Sequence, residues 1–266
     1  MTRVGVLGAA GRMGRLVCRA VAGDPELALV AAISPSFQGG GTEARVGVPG
    51  LELTGSSDLQ TLLTAKTDVA VDFTTPGAVM GNIRWLIGRA IHAVVGTTGI
   101  GEPELTEIER LLRDGGGRSN VVVASNFAVG GALMQRFAED AARFFPAAEI
   151  IELHHDRKLD APSGTARATA ERMAKARSQS WEGPSAEAIE GVRGGDVQGI
   201  RVHSVRLPGL VAHQEVIFGG TGQTLTIRHD STDRTSFMPG VLLAIKSVTE
   251  RPGLTVGLEP LLGLGS

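Results

Sequence analysis

The fold is decided at Val4-Gly5-Val6-Leu7-Gly8-Ala9-Ala10-Gly11-Arg12-Met13-Gly14. The first four residues form a short apolar run, which is typical of a strand buried on both faces. Glycine then recurs at every third position before a helical pattern begins. A strand, a small-residue turn and a helix in this order let the backbone approach a pyrophosphate closely. The stretch predicts a dinucleotide-binding turn, and a strand-to-helix turn without a ligand is the alternative.

The rest of the first half repeats this alternation of strand and helix. Further short apolar runs occur at Leu29–Ile33, Val69–Phe73, Ala93–Val95 and Val121–Ala124. Helical patterns lie between these runs, and one of them begins at Pro76 after the candidate N-cap Thr75. Such an alternation predicts an α/β fold with a Rossmann-type parallel sheet and helices on both faces.

The pattern changes after about Asn126. We expect a strand at Glu149–His155, a helix from Thr165 to about Arg177, and loop over much of 178–199. Three strand-like segments follow at Ile200–Leu207, Leu210–Phe218 and Thr224–His229. The short turns between these three segments predict an antiparallel meander.

Two domains follow from these patterns. Residues 1–126 form a dinucleotide-binding domain, which the last helix and its flanking residues, 237–266, are expected to complete. Residues 127–236 form a C-terminal α+β domain with a mostly antiparallel open sheet.

Composition argues against several kinds of partner. The net charge is −2, tyrosine is absent and there is no basic stripe, so nucleic acid is not expected as a partner. No segment approaches the roughly 18 apolar residues of a membrane span. The single cysteine, Cys18, fits a reducing compartment, and we therefore expect a cytoplasmic protein.

Small polar residues follow three of the predicted strands, at Thr74, Thr97 and Ser125. Ligands of open parallel sheets bind beyond the carboxyl ends of the strands, so these residues predict a lined cleft, with helix capping as the alternative. The second strand ends at Ser34-Pro35, where a carboxylate would normally hold the ribose 2′-hydroxyl. The sequence therefore leaves NADPH, NADH or both as cofactors.

The segment Glu152–Thr165 carries the candidate chemistry. His154 and His155 are adjacent on a strand and point to opposite faces, so they cannot share one role. Lys158 follows, and Ser163-Gly164-Thr165 opens a helix whose N–H groups suit a carboxylate. These groups describe a pocket for a small dicarboxylate. A surface salt-bridge cluster is the alternative, and the opposed histidines argue against a metal site.

The Gly8–Gly14 turn, Gly96–Gly99, Asn126-Phe127 and above all Glu152–Thr165 resemble the dihydrodipicolinate reductase family, whose members reduce 4-hydroxy-tetrahydrodipicolinate. The resemblance spans essentially the whole chain. It implies NAD(P)H-dependent reduction of that substrate to tetrahydrodipicolinate in diaminopimelate and lysine biosynthesis. Family members often carry an acidic residue where this chain has Ser34, and they are typically homotetramers built through the C-terminal sheet.

The resemblance also implies roles for individual residues. His154 takes the acid/base position and Lys158 is a proton donor. The expected substrate-binding residues are His155, Ser163, Gly164 and Thr165. The expected cofactor-binding residues are Gly8, Ala9, Ala10, Gly11, Arg12, Met13, Ser34, Phe73, Thr74, Gly96, Thr97, Thr98, Ala124, Ser125, Asn126 and Phe127.

Two other functions fit the residues less well. One is a Rossmann dehydrogenase that acts on another small amino or hydroxy acid. The other is a nucleotide sensor without catalysis, against which His154 and Lys158 argue.

Overall fold

A computed structural model describes residues 1–37, 47–50, 53, 55–177, 183 and 186–264. Contacts divide the chain into two units. Unit 1 comprises Met1–Phe127 and Phe237–Ser266, and unit 2 comprises Ala128–Ser236. Unit 2 is thus inserted in the sequence between the two parts of unit 1.

Unit 1 contains a six-stranded parallel sheet. Its strands are β1 (Thr2–Leu7), β2 (Leu27–Ile33), β3 (Val69–Asp72), β4 (His92–Val95), β5 (Val121–Val123) and β11 (Leu254–Val256). They lie in the order β11-β5-β4-β3-β1-β2, and every neighbouring pair is parallel. The predicted Rossmann-type sheet is confirmed, and β11 is an edge strand that the sequence patterns did not indicate.

In the described part of unit 1 the α-helices are α1 (Arg12–Gly23), α2 (Gln60–Thr64), α3 (Pro76–Ile87), α4 (Glu102–Asp114) and α7 (Met238–Ser247). A core cluster joins Ile83 of α3 and Ile108 of α4 to strand residues such as Val95. Cys18 lies in the buried face of α1, where burial raises the pKa of its thiol to about 12. Because these strands are parallel, the carboxyl ends of β1, β3, β4 and β5 meet at one edge of the sheet.

Among its described residues, unit 2 has a five-stranded sheet and two α-helices, α5 (Val129–Ala141) and α6 (Gly164–Ala176). Its strands are β6 (Ala147–His154), β7 (Gly195–Val197), β8 (Ile200–Arg206), β9 (Ala212–Gly220) and β10 (Gln223–Ser231). A core cluster of alanines and Met173 from the helices packs on Ile150, Val202 and Phe218 of one sheet face. Part of the segment expected to be loop, residues 178–182, 184 and 185, lies outside the described residues, and β7 occupies a later part of it.

The predicted meander is wrong, although the sheet is mostly antiparallel as expected. The strand order is β10-β9-β6-β8-β7, so β6 separates β8 from β9. β6 pairs parallel with β8 and antiparallel with β9. Alternation of side chains indicates that a segment is a strand but not which strand lies beside it. The chain crosses the end of β6 after β8, where the Leu207 N–H donates to the His154 carbonyl at 3.1 Å.

Candidate active site

The glycine turn brings backbone segments closer than side chains would allow. Gly8 has φ +78°, and a Cβ there would lie 2.4 Å from the Phe73 carbonyl oxygen. A Cβ on Gly14 would lie 2.1 Å from the Gly8 carbonyl oxygen. Within the described chain no side chain caps the start of α1 at Gly11, Arg12 and Met13. The first N–H groups of α1 thus lack both helical and side-chain acceptors, which suits an anionic group.

The neighbouring strand ends are joined by the buried carboxylate of Asp72. Its Oδ1 accepts from the Thr74 hydroxyl at 2.7 Å and the Thr97 hydroxyl at 2.8 Å. Its Oδ2 accepts from the Asn82 amide at 2.7 Å. The hydroxyls of Thr74 and Thr97 therefore brace the ends of β3 and β4. Thr75 occupies the predicted N-cap position of α3, but its side chain makes no capping hydrogen bond there.

The remaining expected cofactor residues also lie at this edge of unit 1. The Phe73 ring packs on Gly96, where a Cβ would lie 2.2 Å from the ring, and its centroid is 5.8 Å from that of Phe127. Ser34 is buried after β2, and its hydroxyl lies 3.1 Å from that of Ser36. Ala9, Ala10, Ala124 and Asn126 are buried or half-buried, whereas Thr98 and Ser125 are exposed.

In unit 2, the candidate catalytic His154 lies at the end of β6 beside a buried carboxylate. The His154 Nδ1 is 2.5 Å from Oε2 of Glu152, a side chain with no exposed surface. Arg206 of β8 donates to both Glu152 oxygens, at 2.9 Å and 2.7 Å. The Ser163 N–H donates to Glu152 Oε1 at 3.1 Å. One carboxylate thus connects the histidine with the start of α6.

Lys158 and His155 lie in the segment between β6 and α6. The Lys158 ammonium donates to both oxygens of Asp160, at 2.7 Å and 2.8 Å. The hydrogen bond from Lys158 and the nearby charges lower the pKa of Asp160, which is therefore ionised. The Nδ1 of His155 is buried and has no hydrogen-bond partner within the described chain. His155 therefore retains an unsatisfied polar atom that a ligand can complete.

The helix expected after Ser163 is α6, and it begins at Gly164. Ser163 is the N-cap, and its hydroxyl accepts from the Ala166 N–H at 3.1 Å. The Ser163 side chain is therefore engaged in capping and its N–H in binding Glu152. Gly164 and Thr165 are the first two residues of the helix, so their N–H groups have no helical acceptor.

Sequence reasoning missed Glu152, Arg206 and Asp72 as members of the site. Glu152 had a signal, because it lies two residues before His154 and so faces the same side of β6. Arg206 had none, because its place beside His154 depends on the register of β6 with β8.

Two other findings concern the described residues alone: no three potential metal ligands come together, and no helix is long and apolar enough to cross a bilayer.

Comparison with known proteins gives consistent matches along the chain. A family model described as "Dihydrodipicolinate reductase, N-terminus" matches residues 2–127, and one described as "Dihydrodipicolinate reductase, C-terminus" matches residues 130–262. A 4-hydroxy-tetrahydrodipicolinate reductase from Nocardia farcinica (strain IFM 10152) is 50% identical over 266 residues, covering 98% of this chain and 99% of the relative.

Solved structures give the same result. A dipicolinate-bound dihydrodipicolinate reductase from Paenisporosarcina sp. TG-14 has a TM-score of 0.84 and 40% identity, covering 98% of this chain and 99% of its own. An amine dehydrogenase from Mycobacterium smegmatis has a TM-score of 0.66 at 14% identity, covering 97% of this chain and 95% of its own. The second likeness is one of fold alone.

Proposed function

Because the chain belongs to the dihydrodipicolinate reductase family, we propose that it reduces 4-hydroxy-tetrahydrodipicolinate to tetrahydrodipicolinate with NADPH or NADH. The reaction belongs to diaminopimelate and lysine biosynthesis. The observation that carries the proposal is the grouping of His154, the Lys158 segment and the start of α6 around Glu152. This grouping offers proton donors and a carboxylate site within one short stretch of unit 2.

We propose that unit 1, including Phe237–Ser266, is the dinucleotide-binding domain. The close approach at Gly8 and Gly14 and the uncapped start of α1 fit a pyrophosphate. Phe73, Gly96 and Phe127 line the same edge and would contact the rest of the nicotinamide half. When bound, the dihydronicotinamide supplies hydride. Ser34 presents no negative charge to a 2′-phosphate, so both cofactor forms fit.

We propose that His154 and Lys158 supply the proton that the reduction consumes. Hydride addition to the substrate and loss of its 4-hydroxyl as water require one proton overall for each turnover. His154 exchanges a proton at the end of β6, and the Lys158 ammonium donates one once the substrate draws it from Asp160. The ionised Asp160 carboxylate holds the Lys158 side chain in place before the substrate binds.

We propose that unit 2 also holds the two substrate carboxylates. The N–H groups of Gly164 and Thr165 at the start of α6 suit one carboxylate. The unpartnered Nδ1 of His155 supports a role in binding a polar substrate group. Ser163 would contribute through the helix start that it caps rather than through its hydroxyl.

Oxidation of NADH and NADPH by the purified protein, with freshly generated 4-hydroxy-tetrahydrodipicolinate, tests this function. We expect turnover with at least one nucleotide, and H154Q and K158Q should each lower kcat about 10²- to 10⁴-fold. R157Q is the matched control, because Arg157 is exposed in the same segment, and it should change kcat less than about twofold. Absence of oxidation with both nucleotides would contradict the proposal.

We propose further that the chain is a cytoplasmic homotetramer assembled through unit 2. Ile151, Leu153 and Ile217 lie on the sheet face opposite α5 and α6, and they are not part of the core cluster of the described unit. Light scattering should give the mass of four chains, and I217R should give a smaller species. A parent protein with the mass of one chain would contradict this assembly. Cell fractionation tests the cytoplasmic location. The single cysteine, Cys18, is a buried free thiol, which is compatible with a reducing compartment.

A further inference from the structure

The carboxylate of Glu152 is fully buried beside His154. Glu152 lies on the face of β6 that also carries Ile150, which packs into the core under α5 and α6. A lone ionised carboxylate in such a place would destabilise the fold by far more than one hydrogen bond can offset. The fold therefore has to supply partners that keep this group ionised.

Arg206 is the partner that compensates the charge. Its guanidinium donates to both carboxylate oxygens, in the bidentate geometry that is strongest for an arginine–carboxylate pair. Burial by itself raises the pKa of Glu152, but hydrogen bonds from His154, Arg206 and Ser204 outweigh it and lower the pKa to about 2. Glu152 is therefore an anion at neutral pH and can only accept hydrogen bonds.

An anionic Glu152 determines which nitrogen of His154 carries its proton. Because the carboxylate cannot donate, the hydrogen between Glu152 Oε2 and His154 Nδ1 must belong to Nδ1. Nε2 is then the ring atom left to exchange a proton with the substrate. We propose that Glu152 is a positioning residue that fixes the tautomer and orientation of His154, and that Arg206 holds Glu152 in place for this role.

The same pair also connects His154 with the segment that carries Lys158. Arg206 donates to the Asp160 carbonyl at 2.7 Å, and Glu152 accepts from the Ser163 N–H. Both contacts lie within the stretch between Lys158 and the start of α6. The Glu152–Arg206 pair therefore sets the position of the acid/base group relative to the proton donor and the carboxylate site.

The first test compares steady-state kinetics of E152Q and E139Q. Glu139 accepts from Arg172 at 2.9 Å in a pair of unit 2 that joins α5 to α6. Neither residue is among the proposed site residues, so E139Q is a matched loss of a carboxylate. This inference rests on the proposed role of His154. We expect E152Q to lower kcat about 10- to 100-fold with KM changed less than about threefold, and E139Q to change kcat less than about twofold. Equal kinetics for the two variants would overturn the inference.

The pH profile separates positioning from a general loss of structure. The amide of E152Q no longer places a full negative charge beside the His154 ring, so the dependence of kcat on pH should differ in E152Q from that of the parent. E139Q should keep the parent profile. An unchanged profile in an E152Q protein with reduced kcat would also overturn the inference, because it would mean a structural effect alone.

A measurement on the parent protein needs no variant of Glu152 to fold. Nitrogen-15 labelling of histidine, with the His154 signals assigned by their loss in H154Q, reports the tautomer directly. We expect Nδ1 of His154 to carry hydrogen, and a proton on Nε2 with Nδ1 bare would overturn the inference. If H154Q turns over like the parent, the proposed function of His154 fails. If only H154Q loses activity and E152Q does not, the positioning role alone fails.

Discussion

Among the residues that the structure describes, each unit has one completely buried carboxylate, at or near the carboxyl end of a strand, and the two units stabilise it differently. In unit 1, Asp72 accepts from two hydroxyls, an amide and a backbone N–H, all of them neutral. In unit 2, Glu152 lies between a guanidinium and an imidazole. Neutral donors hold an anion in one fixed geometry, whereas charged partners make the anion respond to the protonation of its neighbour. Asp72 is thus suited to bracing strand ends, and Glu152 to supporting proton transfer.

The largest effect should follow from removing Arg206, the cation that pairs with the buried Glu152. R206M leaves the Glu152 carboxylate buried without its counter-ion, and we expect the free energy of unfolding to fall by about 3–5 kcal/mol. Urea denaturation measures this change. R228M is the control, because Arg228 forms exposed ion pairs with Asp230 and Glu215, and it should cost at most about 1 kcal/mol. A similar loss in both variants would remove the distinction between buried and exposed pairs.

The second-largest effect should come from acid, which protonates Glu152 and so weakens its pairing with Arg206. Burial raises the pKa of Glu152, but its hydrogen bonds outweigh burial and lower the pKa from an ordinary value of 4.5 to about 2. A carboxylate with a depressed pKa stabilises the fold above its unfolded value and loses this contribution as the pH falls toward its folded value. Between pH 6 and pH 3 the parent should lose about 2 kcal/mol more unfolding free energy than E152Q. Parallel pH dependences, measured by denaturation at each pH, would show that Glu152 is not ionised in the fold.

Replacing the Asp72 carboxylate with an amide should have a smaller effect. D72N turns one acceptor into a donor that faces the hydroxyls or the Asn82 amide, so we expect a loss of about 1–2 kcal/mol in unfolding free energy. Nucleotide affinity, measured by fluorescence titration, should also fall because the ends of β3 and β4 are no longer braced. D114N, at an exposed ion pair at the end of α4, should leave both quantities unchanged within about 0.5 kcal/mol.

The smallest effect should come from a single donor to Asp72. T97V removes one of its hydroxyls while keeping the side-chain shape, and we expect a loss of about 1 kcal/mol. T97S retains the hydroxyl and should recover most of that loss. Thermal unfolding of the two variants checks this pair, and equal midpoints would mean that the Thr97 hydroxyl does not stabilise the strand ends.

Much of the fold could be predicted from the sequence because its signals are local. Each central strand of unit 1 is buried on both faces, so β1 to β5 appear as short apolar runs bounded by turn residues. β11 could not be found in this way, since Leu254–Val256 spans three residues with a threonine in the middle. The place of β6 between β8 and β9 was also hidden, because strand neighbours depend on register across the chain and not on local alternation.

The residues of the site show the same difference between local signals and contacts that depend on the fold. The glycine turn and the segment Glu152–Thr165 are contiguous and therefore visible as motifs. The contact of Glu152 with Arg206 joins residues 54 positions apart, and that of Asp72 with Thr97 joins residues 25 apart. No single stretch of sequence carries such a pair. The parts of the site that hold other parts in position were accordingly the ones that sequence patterns missed.

The edge strand β11 has a consequence for the order in which the protein is made. β5 gains its outer neighbour only when Leu254–Val256 arrives, and Asn120 just before β5 donates to the Val248 carbonyl at 2.8 Å. Every residue of unit 2 leaves the ribosome before these partners do, although synthesis proceeds from the N-terminus and domains generally fold in that order. The inserted unit is thus complete as a chain while the unit that surrounds it still lacks a strand. The sheet of unit 1 is therefore the first to begin forming and the last to receive all its strands.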